Sequence, residues 1–271
     1  MMMQLARRVS EWLSKSPRIR RWRMAYPPLC LWELPGPPSS SRLVAVIFLA
    51  AGCWFMFFGI TQEVIANGPL VRADLRVLPY VQTLRTADLD RLMLFFTSLE
   101  SWQVIVAGAG ISGALLYLSR RWWWLGAMLT VLVGEQLLSQ SLKMAFHRTR
   151  PSLDNALVLA AGGSYPSGHT LAGSVFFGFQ ACFVIAQSRS WLIRLAVACF
   201  SVLLMFFIGL SRIYLGVHWP SDVLASWTLG PAWAATVLVI FHVKRVQVST
   251  HHSRSVPGWQ WTAGLCLWFR Q

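Results

Sequence analysis

Acidic residues are scarce in this chain: 10 aspartates and glutamates stand against 24 lysines and arginines among 271 residues, and charged residues of both signs make up only 13%. So little charge excludes an ordinary soluble domain, in which about a quarter of the residues are charged. The acids are also dispersed, so no carboxylate cluster offers itself to a divalent metal. The five cysteines (Cys30, Cys53, Cys182, Cys199 and Cys266) show no metal-ligand spacing, and three of them fall in apolar runs. That argues against both a zinc site and a disulfide framework. No internal repeat is visible. Residues 1–42 lack an apolar core followed by a small-residue cleavage site, so the first apolar span is expected to act as an uncleaved signal anchor.

What the chain has in quantity is apolar sequence. Hydrophobic residues make up 55% of it, and 15 tryptophans point to membrane–water interfaces. Six stretches approach the roughly 20 residues that cross a bilayer core: 43–60, 102–119, 122–142, 168–187, 191–210 and 220–241. The expected fold is therefore all-α, an integral membrane bundle of six transmembrane helices. It divides into a basic N-terminal tail (1–42), a membrane domain (43–241) and a C-terminal tail (242–271). The formal charge of +14 does not imply nucleic acid, because the cations lie in short blocks flanking apolar runs. Anionic lipid headgroups and the positive-inside rule account for that pattern. Most cations fall on the side shared by both tails, which sets both termini in the cytoplasm.

Three blocks then face the outer interface, the periplasmic side of the inner membrane in a Gram-negative bacterium. The first runs from Lys143 to Arg150-Pro151, the second is Pro166-Ser167-Gly168-His169, and the third joins Ser211-Arg212 to His218 and Asp222. Their residue types suit phosphate chemistry, which needs charge stabilisation, an in-line nucleophile and a proton for the leaving oxygen. Lys143, Arg150 and Arg212 supply fixed positive charge. Ser167 is a good N-cap and Gly168 permits close backbone approach, so the start of the fourth span is suited to bind an anion. His169 sits in that first turn. Asp222, four residues beyond His218, is placed to accept from its Nδ1–H, leaving Nε2 free to attack phosphorus.

Other polar positions read as structural. His147 and Arg148, inside the first block's spacer, are expected in a solvated outer loop. Glu135, within the third span, is expected to make a polar contact inside the bundle. Trp122 to Trp124 suit the inner aromatic belt and Trp219 the outer one.

In order and spacing, the blocks from Lys143 to Asp222 resemble the three-part signature of the type 2 phosphatidic acid phosphatase family, the membrane branch of the superfamily that includes the vanadium haloperoxidases. A looser likeness covers 82–101. The resemblance implies a lipid phosphatase that needs no metal or other cofactor and acts on a lipid phosphate within the bilayer. His218 would form a phosphohistidine, Asp222 would orient it, and His169 would protonate the leaving group and then activate water. Lys143, Arg150, Ser167, Gly168 and Arg212 would bind the phosphate. Undecaprenyl diphosphate is the favoured substrate; phosphatidylglycerophosphate, phosphatidic acid and lipid A phosphate are the others. Two readings stay open beside it: a phosphotransferase using the same intermediate, and a catalytically silent lipid-binding or transport protein. Nothing in the sequence sets the oligomeric state.

Overall fold

An apolar run in lipid must satisfy its own backbone polar groups, which a helix does within a single segment. In the computed structural model, which describes residues 40–151 and 162–255, every regular element is a helix. In order these are α1 (Ser40–Ile65), α2 (Pro69–Thr83), α3 (Ala87–Ser98), α4 (Trp102–Leu118), α5 (Trp122–Phe146), α6 (Gly168–Gln187), α7 (Trp191–Tyr214) and α8 (Pro220–Ser255). The tail that ends at residue 42 lies almost wholly outside the described residues, as do 256–271.

Four helices are each long and apolar enough to cross a bilayer: α1 over Leu43–Ile65, α6, α7, and α8 over Pro220–Arg245. A fifth span arises if α3 and α4, bent by 42° at a short break, are taken together. The segment 61–101, read from sequence as a mixed-charge connection, thus holds the end of α1, all of α2 and α3, and the break before α4. Helix α5 has the length, at 25 residues, but Glu135, Gln136 and Gln140 make it less apolar. Its faces differ: Glu135 and Ser139 are buried, whereas Leu129, Val133 and Leu137 are exposed together with Gln136 and Gln140.

Exposed apolar side chains cover much of the outside, as lipid contact requires; Phe48, Phe55 and Leu118 are among the most exposed. Lipid tails are as apolar as leucine, so helix association depends on close fit and interhelical hydrogen bonds. Gly230 on α8 shows the fit: a Cβ there would lie 2.7 Å from Cβ of Ser174 on α6. Indole N–H groups supply several cross-links. Trp233 donates to the Val131 carbonyl of α5 at 2.9 Å, Trp227 to Met205 of α7 at 3.0 Å, and Trp54 of α1 to Thr236 of α8 at 3.1 Å. Each is worth about 0.6 kcal/mol in a bilayer. Helix α8 is thereby tied to α1, α5 and α7, and its first turn is the floor of the candidate site. Of the trio expected in the inner aromatic belt, Trp124 is instead in the core, edge-on to Phe179 and Phe183.

Candidate active site

Helix α7 ends in a turn that the third block encodes. Gly216 adopts φ 73°, a left-handed conformation that glycine accepts without strain. Around it the Leu215, Gly216 and Val217 amides bond back to Ser211, Ile213 and Arg212, closing the helix in the manner of a Schellman motif. The chain is thereby redirected so that His218 falls just before α8. Pro220 then opens α8, and Asp222 accepts from the Trp219 amide at 3.0 Å, closing the helix start with its own carboxylate.

His218 is held between two partners. Its Nδ1 lies 3.4 Å from Oδ2 of Asp222, and its Nε2 lies 3.0 Å from Nη1 of Arg150. A guanidinium can only donate, so Nε2 must be the accepting nitrogen and Nδ1 carries the proton toward Asp222. His218 is 1% exposed. Burial pushes its imidazole down to about 4, against the opposing pull of Asp222, so the ring is neutral at physiological pH. Burial also draws Arg150 below the ordinary guanidinium value, with Asp222 acting the other way.

The second block packs onto this floor. Ser167 caps α6 by accepting from the Thr170 amide at 3.5 Å. Its own amide donates to the Asp222 carbonyl at 3.3 Å, and Ser226 bridges the Ser167 and Asp222 carbonyls. The starts of α6 and α8 are therefore laced together. Gly168 lacks a side chain where Lys143 needs the room: a Cβ there would sit 2.8 Å from Nζ of Lys143. His169, half-exposed in the same turn, has Nε2 3.8 Å from Oε1 of Glu100. Arg212, 2% exposed, donates to Oγ1 of Thr97 at 2.6 Å. Lys143, Arg150, Arg212 and His218 all act electrostatically on His169. The eight residues nominated from sequence thus converge at one end of the bundle.

Sequence reasoning missed a layer behind them. Arg148, expected in a solvated loop, instead has a side chain only 13% exposed. It reaches Oδ1 of Asp222 at 2.5 Å, Oδ2 of Asp74 at 2.8 Å and Oγ of Ser221 at 2.7 Å, and lies over the Trp219 ring. Asp74, 1% exposed on α2, also accepts from the Ser221 amide at 2.9 Å and from the Ser221 hydroxyl. The only sequence signal was a second arginine inside the spacer of the first block. Glu100 and Thr97 fall in the looser likeness over 82–101, which marked neither residue. Glu135 is buried as expected and acts electrostatically on Lys143.

Comparison with known proteins bears on this geometry directly. The family model described as PAP2 superfamily matches residues 122–245, a range that holds all three blocks. Residues 122–245 belong to the PAP2 superfamily. Consistent with that, the chain is 28% identical over 195 residues to the phosphatidylglycerophosphatase B of Bacillus subtilis, covering 70% of this chain and 91% of that protein. The crystal structure of the PAP2-type phosphatidylglycerolphosphate phosphatase from Bacillus subtilis superposes with a TM-score of 0.64 at 26% identity, covering 70% of this chain and 94% of that one. Over a shorter stretch of 76 residues the chain is 36% identical to an undecaprenyl-diphosphatase of Sulfolobus acidocaldarius, covering 28% of this chain and 32% of that protein. As a PAP2 protein with membrane-spanning helices, it is a membrane lipid phosphatase.

Proposed function

We propose that this PAP2 phosphatase hydrolyses its lipid phosphate through a phosphohistidine on His218. The observation that carries the reading is the position of His218 between Asp222 and Arg150, which leaves a neutral Nε2 lone pair as the nucleophile. Arg150 occupies that lone pair in the free protein. An arriving phosphate dianion offers the guanidinium a stronger, bidentate partner and so releases Nε2 for attack. As Nε2 bonds to phosphorus, the P–O bond to the leaving group breaks and His169 protonates the departing oxygen. Asp222 balances the positive charge that develops on the His218 ring. Water, deprotonated by His169, then attacks phosphorus, and the P–N bond breaks with its electron pair returning to Nε2. Lys143, Arg212 and the amides at the start of α6 stabilise the pentavalent oxygens in both steps. No step calls for a divalent cation.

For topology we propose six spans, counting α5 and pairing α3 with α4. Both termini then lie in the cytoplasm, on either side of a membrane domain at 43–241, and the site faces outward at the membrane interface. The basic blocks at 1–42 and after 242 support that orientation. In a bacterial inner membrane an outward site suits recycling of the polyprenyl carrier, and undecaprenyl diphosphate is the substrate we place first. The Sulfolobus acidocaldarius relative's name agrees with it. The Bacillus subtilis relative's name favours phosphatidylglycerophosphate, the second choice.

Phosphate release by the purified protein in detergent, across undecaprenyl diphosphate, phosphatidylglycerophosphate, phosphatidic acid and lipid A, tests the assignment. The highest kcat/KM is expected on undecaprenyl diphosphate. A higher value on any other lipid displaces it, and transfer of the phosphoryl group to a second acceptor in place of water overturns hydrolysis.

A further inference from the structure

Glu100 lies in the break between α3 and α4, 4% exposed, and both its carboxylate oxygens lack a hydrogen-bond partner among the described residues. Burying a carboxylate with neither oxygen satisfied is strongly unfavourable, so such a group calls for a reason. Its surroundings supply one. Oε1 faces Nε2 of His169 at 3.8 Å. Oε2 lies against the first turns of α6, 3.6 Å from where a Cβ on Gly173 would be. Arg212 is the cation acting on Glu100, and Glu135 the like charge. One turn before Glu100, Thr97 holds the Arg212 guanidinium, whose Nε is itself buried without a partner among the described residues. The end of α3 and the break after it therefore underlie both the phosphate cradle and the second histidine.

We propose that Glu100 is a positioning residue for His169, matching what Asp222 does for His218. The inference rests on the phosphohistidine reading above. With Nε2 turned to Glu100, Nδ1 is the nitrogen left to exchange a proton with the reacting oxygen. Lys143, Arg150 and Arg212 all repel an imidazolium at His169, and a carboxylate beside Nε2 offsets that repulsion while fixing the tautomer and the ring plane. In the first step the proton on Nδ1 passes to the leaving oxygen as its bond to phosphorus breaks. In the second, Nδ1 takes a proton from the attacking water, and the ring regains its positive charge opposite Glu100. The requirement is greatest when the leaving group is an alcohol, whose alkoxide is a poor leaving group. It is least when a diphosphate releases an alkyl phosphate, which departs readily without a proton.

Dodecyl phosphate and dodecyl diphosphate share one tail and differ in that leaving group, so they make the test. In detergent, Glu100→Gln is expected to lower kcat/KM, which reports the step that expels the leaving group, at least about tenfold on dodecyl phosphate and less than about threefold on dodecyl diphosphate. The ratio of the two losses does not depend on the fraction of folded enzyme, so partial misfolding cannot imitate it. Added to His169→Ala, Glu100→Gln is expected to cause no further loss. Equal losses on both substrates, no loss on either, or a full additional loss in the His169→Ala background overturns the proposal. Wild-type protein and His218→Ala run in parallel separate the two levels. A wild type that releases no phosphate, or a His218→Ala variant that still does, overturns the phosphohistidine reading and Glu100's role with it. If those controls behave as expected and the Glu100 arms fail, only the role of Glu100 falls.

Discussion

Arg148 grips Asp222 at 2.5 Å through one guanidinium nitrogen and Asp74 at 2.8 Å through the other. The carboxylate that faces His218 is therefore held from behind by an arginine anchored to α2. A planar fork can bridge two carboxylates in this way, which a lysine ammonium cannot reproduce.

Breaking that bridge has a structural and a catalytic consequence. Arg148→Ala takes the shared cation away from two buried carboxylates, an effect on the order of 3–5 kcal/mol. Arg148→Lys keeps the charge but loses the fork, and is expected to retain more stability than activity. Thermal unfolding in detergent measured beside kcat checks this; a lysine variant with wild-type kcat contradicts it.

The two histidines are expected to fail differently. His218→Ala removes the nucleophile and abolishes both turnover and any covalent phosphoenzyme. His169→Ala slows turnover by a factor on the order of 100 or more, least for good leaving groups. Steady-state rates over a series of leaving groups distinguish them, and a flat response in His169→Ala argues against its acid role.

The buried imidazole of His218 links stability to pH. Its value in the fold is about 4, below the roughly 6.5 of an exposed histidine. Between these values the unfolded chain binds the extra proton, so the stability this group contributes is complete above about 6.5 and is lost as pH falls toward 4. His218→Asn is expected to flatten the fall in unfolding temperature between pH 7 and pH 5. An unchanged slope contradicts a buried neutral ring.

Close contact between α6 and α8 sets the distance between the two histidine-bearing turns. Gly230→Leu places a side chain where the Ser174 Cβ lies 2.7 Å from the position of a new Cβ, and overpacking of this kind costs about 1–3 kcal/mol. A lowered unfolding temperature together with lowered kcat is expected, and wild-type values for both contradict it.

How much of this was legible in the sequence follows from the range of each interaction. Asp222 and His218 lie four residues apart across a helix start, so their pairing could be inferred from spacing alone. Ser167 and Gly168 carry the chemistry of a cap. Arg148 and Asp74 lie 74 residues apart, and nothing local to either marks it as the other's partner. Glu100 is a single acid at a break whose neighbours come from α6 and α7. The helices within 61–101 were obscured because Asp88, Asp90 and Arg91 interrupt the apolar pattern of α3. Tyr214 donates to Asp90 at 2.8 Å, and Arg85 pairs with the same carboxylate, so one of those charges serves to dock α3 on the end of α7.

Trapping the covalent intermediate tests the central claim most directly. Protein with EDTA present is mixed with a lipid phosphate carrying labelled phosphorus, quenched in alkali to preserve a phosphoramidate, digested and mapped. The account predicts label on His218, absent from His218→Ala and, when the substrate is a labelled lipid diphosphate whose leaving group needs no proton, accumulating in His169→Ala, where the second step is slowed. Label on another residue, or turnover that stops when EDTA is added, would contradict it.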